Sequence, residues 1–162
     1  MLEVTKLTKS FQSGDGTVVA VNDLSLSVPT GKFASIVGRS GSGKSTLLSL
    51  LGALDKPTSG EIVVGGKKLN GMSDHALIKY RCQAIGFVFQ NYNLIPNLTA
   101  IENVMLPMEF NGMKAAERKA RAKQLLDQVG LEGAKQRRKP GRLSGGEQQR
   151  VAIARALANK PK

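Results

Sequence analysis

The sequence is poor in the residues from which several functional classes are built. It has one cysteine, Cys82, so no disulfide can close within the chain. That residue reads as a small, partly buried filler without a redox role. Its one histidine, His75, lies on a short polar stretch and reads as a surface residue. No apolar run approaches the roughly 18 residues that span a bilayer. The opening residues, MLEVTKLTKSF, alternate apolar and polar as a strand does and do not resemble a signal peptide. There is no internal repeat and no low-complexity tract. Acids are scarce, 12 against 24 lysines and arginines, for a net charge of +12. Nucleic acid, an anionic membrane face and phosphate ligands all suit such a balance. Ten of the cations lie between Lys114 and Arg142, against the acids Glu117, Asp127 and Glu132. That stretch reads first as a solvated helix face, with contact to a partner or membrane surface as the alternative. A hydrophobic content of 41% in 162 residues is enough for one domain with a real core, expected in the cytoplasm.

What is present is strand-rich at the start and helical later. Residues 2–9 and 18–28 read as strands joined by a turn at Gly14, Asp15 and Gly16. Residues 32–37 (KFASIV) form a short apolar strand candidate that runs into glycines and then into a helix over 45–52. A turn at 57–60 leads to a strand over 61–64, a short helix follows over 74–81, and 85–89 is a buried strand candidate. Helices are then expected over 99–105, 114–129 and 146–158, with a basic connector over 135–142. In the second of them Ala122, Leu125, Leu126 and Val129 recur at helical spacing and define one apolar face.

The glycines after residue 37 carry the first chemistry. Gly38, Arg39, Ser40, Gly41, Ser42, Gly43, Lys44 and Ser45 match G-x-x-x-x-G-K-[ST] in full. A triphosphate concentrates negative charge, and binding it needs many donors at short range with no side chains in the way. Glycines let backbone N–H groups turn inward as an anion-binding nest, and the helix that follows adds its positive end. Lys44 offers a charge to the outer phosphates, Ser45 a hydroxyl to Mg2+, and Thr46 continues the first turn. ATP and Mg2+ are the implied ligands.

A second constellation, Leu143 to Arg150 (LSGGEQQR), places the Ser144 hydroxyl and the unobstructed amides of Gly145 and Gly146 at another helix start. It resembles the signature motif of ABC transporter ATP-binding proteins. The resemblance implies an α/β fold. This is a P-loop NTPase core with an N-terminal antiparallel β subdomain and a helical insertion, lacking the C-terminal strands of the full domain. The expected parts are 1–90, a β subdomain plus P-loop core; 91–142, a helical subdomain; and 143–162, the signature helix. It implies a head-to-tail pair of such domains, each signature capping the phosphates held by the other chain's loop. Lys44 and Gln90 are the implied catalytic residues.

Further matches extend the resemblance along nearly the whole chain. Phe87 to Gln90 is similar to the family's Q-loop, which implies that Gln90 ligates Mg2+ or the attacking water. Phe11 stands where the family has an aromatic that stacks on adenine, with a core role as the alternative. Residues 91–104 (NYNLIPNLTAIENV) resemble the lipoprotein-releasing and macrolide-export type. That type works with transmembrane permease subunits from the cytoplasmic face of the membrane. Residues 90–107 would then receive the permease, with Leu94, Ile95, Leu98 and Met105 lining the groove or packing in the core. The family's functional histidine lies downstream of the signature, so His75 is not its counterpart.

The 162 residues contain no counterpart of the family's apolar strand ending in Asp-Glu, whose acids hold Mg2+ and polarise the attacking water. The expectation is a fragment of a longer protein, marginally stable, binding ATP weakly and turning over essentially none. Two other functions stay open: a non-transport ATPase of the same family acting on nucleic acid or ribosomes, and a module that only binds ATP. Nucleic acid is not the expected partner.

Overall fold

The computed structural model describes residues 1–14 and 16–161. These divide into two compact units, Met1–Leu77 and Ile78–Lys162.

In the first unit β1 (Leu2–Ser13) pairs antiparallel with β2 (Gly16–Val28) and, along its other edge, with β3 (Ser59–Val64). The two-residue β4 (Lys67–Lys68) completes the order β2-β1-β3-β4. Val4 and Leu7 are both buried although an odd step separates them. The register shifts between them, and Lys6 takes a positive φ of 47°. A bulge of this kind moves the following residues to the other face, so the core side of β1 passes from even to odd positions. Hydroxyls take up the amides the ladder loses: Lys6 N–H donates to Ser25 Oγ at 2.9 Å and Asp23 N–H to Thr8 Oγ1 at 3.1 Å. Leu7, Ile62 and Leu50, each at most 1% exposed, centre this core. Leu50 comes from helix α1 (Lys44–Leu51).

Both β1 and β2 run longer than their sequence patterns suggest, and the expected turn at 14–16 includes Asp15, which lies outside the described residues. The expected strand over 32–37 is not formed. Phe33 is 96% and Val37 87% exposed, and no strand among the described residues pairs with the segment. A strand exists only through its neighbour's backbone groups, so β propensity alone does not make one. The candidate over 85–89 likewise forms no strand and is not buried: Val88 is exposed and no strand among the described residues pairs with the segment.

Helix α2 (Asp74–Ala84) carries the chain from the first unit into the second. The second unit is helical, with α3 (Ala100–Phe110), α4 (Ala115–Gln128) and α5 (Gly145–Ala156). Short 3-10 turns at Gly133–Arg137 and Pro140–Arg142 link the last two. Ala100, Val104 and Met108 recur every four residues on α3. They meet Ala122, Leu125 and Leu126 of α4 and Val151 and Ala154 of α5 in one apolar cluster. The expected face of α4 is therefore buried, with Val129 at its edge. The cations of the basic stretch lie outside this cluster, and some of them find acids. Arg118 approaches Glu109 at 3.6 Å, Lys123 meets Asp127 at 2.7 Å and Lys135 meets Glu147 at 3.0 Å.

Asn103, on α3, is fully buried although polar. Its Oδ1 accepts from Ile95 N–H at 2.7 Å, and its Nδ2 donates to the carbonyls of Ile95, Leu98 and Thr99. One side chain thus supplies the backbone partners of the irregular segment ahead of α3.

Candidate nucleotide-binding site

Gly43 is the N-cap of α1, with φ at 83° and no side-chain cap on the first turn. The leading amides of the helix are left for a ligand. Gly41 is also left-handed, at 79°. Together they turn the loop over 38–45 back on itself, and Ser42 N–H closes it onto Arg39 C=O at 3.3 Å. Lys44 folds over the loop, its Nζ donating to the carbonyls of Gly38 at 3.0 Å and Arg39 at 2.6 Å. The ammonium is held within the turn of the backbone and is not dispersed in solvent. Ser45 is exposed and Thr46 half-buried in the first turn, while Gly38, Arg39 and Ser40 are exposed. A charge, a helix start and free amides at one place form an anion site.

Phe11 lies on β1, 43% exposed and paired with Val18. Gly43 rests against Ala20, two residues further along β2. The ring therefore stands about 7 Å along the strand from the loop's support. Lys9 Nζ lies 4.9 Å from the ring centroid, an electrostatically favourable position over the ring. That lysine is fixed by Asp55 at 2.8 Å and the carbonyl of Lys56 at 2.7 Å. The lysine hydrogen bond holds the Asp55 carboxyl below its ordinary value.

In the second unit Ser144 caps α5. Its Oγ accepts from Glu147 N–H at 3.3 Å while Glu147 Oε2 accepts from Ser144 N–H at 2.9 Å. Those bonds, the Ser144 amide first and Lys135 next, keep the Glu147 carboxyl below its usual range. A Cβ on Gly145 would meet nothing within 4 Å, and one on Gly146 only the tip of Arg150 at 3.9 Å. The start of α5 is capped on one side and bare on the other. Gln90 is exposed at a turn closed by Tyr92 N–H donating to Phe89 C=O at 2.9 Å. Tyr92 and Asn93 follow with positive φ values of 59° and 44°. Left-handed backbone costs a tyrosine about 1–2 kcal/mol.

The profile of the family described as ABC transporter matches residues 21–162. The chain belongs to the ABC transporter family. An uncharacterized ABC transporter ATP-binding protein of Thermotoga maritima is 51% identical over 161 residues, covering 99% of this chain and 68% of that protein. The lipoprotein-releasing system ATP-binding protein LolD of Geobacter metallireducens is 49% identical, over 100% of this chain and 72% of its own. The macrolide export ATP-binding/permease protein MacB of Mannheimia succiniciproducens is 46% identical, but only 25% of it is covered. Among solved structures, the cassette MJ0796, in a dimeric post-hydrolysis state bound to ADP and Pi, superposes with a TM-score of 0.93. It is 48% identical, with 99% of this chain and 71% of that one covered. The α/β fold is therefore that of an ABC ATPase, and ATP is its nucleotide.

The loop over 38–45 and the turn at Gln90 each lack the strand expected ahead of them among the described residues. Lys44 joins the loop, Phe11 stands near its support, Ser144 starts α5 and Gln90 tips a turn. His75 is exposed in the first turn of α2, and Cys82 is half-buried. Two supporting side chains escaped the reading of the sequence. Gln148 Nε2 donates to Pro140 C=O at 3.1 Å and Leu143 C=O at 3.2 Å, tying α5 to the segment before it. Arg155, in the last turn of α5, donates through Nη1 to Asn93 C=O at 2.6 Å and through Nη2 to Tyr92 C=O at 2.5 Å. Burial holds its guanidinium below the ordinary arginine value. A cation in a last helical turn is common, so its spacing alone signals nothing.

Proposed function

We propose that this chain is the ATP-driven motor of a transporter of the lipoprotein-releasing or macrolide-export type. Two copies pair head to tail from the cytoplasmic face of the membrane. Each triphosphate lies between Lys44 and Ser45 of one copy and Ser144, Gly145 and Gly146 of the other. The Gly38–Ser45 backbone wraps the phosphates, Thr46 extends the first turn and Phe11 stacks on adenine; Ser45 would offer its hydroxyl, and Gln90 its amide, to Mg2+. Permease subunits engage residues 90–107, and closing and reopening of the pair drives them.

The observation that carries this reading is the bare, serine-capped start of α5. One nucleotide on the Lys44 loop has no need of a second anion site in its own chain, whereas a head-to-tail pair has. The dimeric state and bound ADP and Pi of the MJ0796 cassette, and the export functions in the names of LolD and MacB, support it.

The residues present fit a Mg2+-nucleotide. The Lys44 loop provides a hydroxyl at Ser45, an ammonium and open backbone donors, and the turn at Gln90 separately offers an amide. Mg2+ when bound would neutralise charge on the outer phosphates. Lys44 would move from the carbonyls of Gly38 and Arg39 onto the phosphates, and Phe11 would orient the base. ATP carrying a photo-crosslinker on its γ-phosphate should label residues beside Lys44 and beside Ser144. The Ser144 label should fade on dilution. Labelling confined to one loop at every protein concentration would remove the paired reading.

A further inference from the structure

The arginine fork at the end of α5 contacts neither end of the proposed nucleotide site, yet it grips the loop that carries Gln90. Tyr92 and Asn93 are consecutive left-handed residues, a conformation Asn tolerates and Tyr resists. Their carbonyls accept from the two terminal nitrogens of Arg155 at 2.5 and 2.6 Å. Charge-assisted bonds of this length, made by one planar fork, are strong and directional. The turn that presents Gln90 is otherwise light. It has one bond from Tyr92 N–H to Phe89 C=O and a tight one from Asn93 N–H to Asn91 C=O.

Around this fork the end of α5 is fixed from two further sides. Asn159 Nδ2 donates to the carbonyls of Cys82 at 2.7 Å and Pro107 at 3.0 Å. Gly86 approaches Ala156 so closely that a Cβ would lie 2.2 Å from its carbonyl oxygen. The guanidinium is thus delivered from a rigid base. Ser144, at the other end of α5, stands about 16 Å away at 1.5 Å per residue.

We propose that Arg155 is a positioning residue for Gln90: it holds Tyr92 and Asn93 in the left-handed backbone that sets where the Gln90 amide points. This rests on the reading of Gln90 as a Mg2+ ligand. Arg155 touches no reacting group and acts only through the loop. A lysine there would bring a single donor centre in place of the planar fork.

The test compares Arg155→Met, Arg155→Lys and Gln90→Ala in the full chain. The amides of Tyr92 and Asn93 should exchange at least about tenfold faster in Arg155→Met and less so in Arg155→Lys, with Leu126 and Val151 unchanged. Affinity for a fluorescent ATP analogue without Mg2+ should not move. The gain on adding Mg2+ should fall equally in Arg155→Met, Gln90→Ala and the double variant, because both act on one contact. Should Arg155→Met fold poorly, Tyr92→Gly added to it should restore the Mg2+-dependent gain, since glycine needs no clamp to stay at positive φ. Unchanged exchange at residues 92 and 93 overturns the proposal, as does an equal loss of affinity with and without Mg2+. A Gln90→Ala variant that keeps its full Mg2+ response refutes the ligand role of Gln90 separately, and the exchange data still decide the clamp.

Discussion

Gly43 faces the carbonyl of Ala20 so closely that a Cβ on residue 43 would lie 2.0 Å from that oxygen. The phosphate loop is therefore set in place by a strand edge as well as by its own turns. Gly43 also holds φ at 83°, whereas Gly41, at 79°, has open space where a Cβ would go. Gly41→Ala should cost only left-handed strain, about 1–2 kcal/mol. Gly43→Ala adds a backbone collision and should cost several kcal/mol or shift the loop. Thermal unfolding of the two variants, with and without ATP, checks the order. Equal losses would mean that Ala20 yields.

Lys44 is satisfied by two carbonyls in the free loop, so its removal should disturb nucleotide affinity more than stability. Lys44→Ala should weaken ATP binding about 10- to 100-fold, the worth of one charge-assisted contact. Titration with a fluorescent analogue measures this, and unfolding by urea should shift little. Intact affinity would place the phosphates elsewhere.

The site was legible where chemistry is local and obscure where it is not. Gly38 to Ser45 are contiguous, so the loop and its lysine could be read directly. Thr99 with Glu102 and Ser144 with Glu147 form capping boxes, a spacing visible in sequence. The face of α4 followed from its period. β1 ran past its expected end because the bulge near Lys6 flips the alternation on which strand reading depends. Residues 32–37 and 85–89 have strand-like composition but no partner among the described residues. Arg155 reaches carbonyls 62 and 63 positions away, and Lys9 an acid 46 away; no short window contains either pair.

Lys9 bridges Asp55 and the ring of Phe11, which makes the setting of that ring sensitive to acid. The folded-state pKa of Asp55 is lowered, chiefly by its hydrogen bond to Lys9. Its contribution is therefore complete above the unfolded carboxylate value of about 4 and fades as pH falls through the lower folded value. With Asp55 35% exposed, solvent screening keeps the contribution near 0.5 kcal/mol. Asp55→Asn should remove that part of the acid dependence of unfolding below about pH 4. Stability that rises on acidification in this window would contradict the pairing.

Asn103 sustains the segment ahead of α3 without exposing any polar atom to water. Asn103→Leu would leave Ile95 N–H without its 2.7 Å partner and take the Nδ2 donor from three carbonyls, of which Ile95 and Thr99 C=O keep a backbone N–H. The expected loss is about 2–4 kcal/mol, read from the urea midpoint. A neutral substitution would mean that water takes over these groups.

Ser144 has two proposed tasks, and one pair of substitutions separates them. As an N-cap it accepts from Glu147 N–H, so Ser144→Ala should cost about 1 kcal/mol of stability. Aspartate caps a helix as well as serine does, so Ser144→Asp should keep the fold at near wild-type stability. It also puts a full negative charge where a partner's triphosphate would sit beside Gly145 and Gly146. Like charges a few ångströms apart in a closed interface repel strongly. ATP-driven pairing should therefore vanish in Ser144→Asp, while ATP still binds each Lys44 loop with unchanged affinity. Light scattering with ATP measures the first and single-copy titration the second. A Ser144→Asp protein that pairs normally would confine Ser144 to capping its own helix.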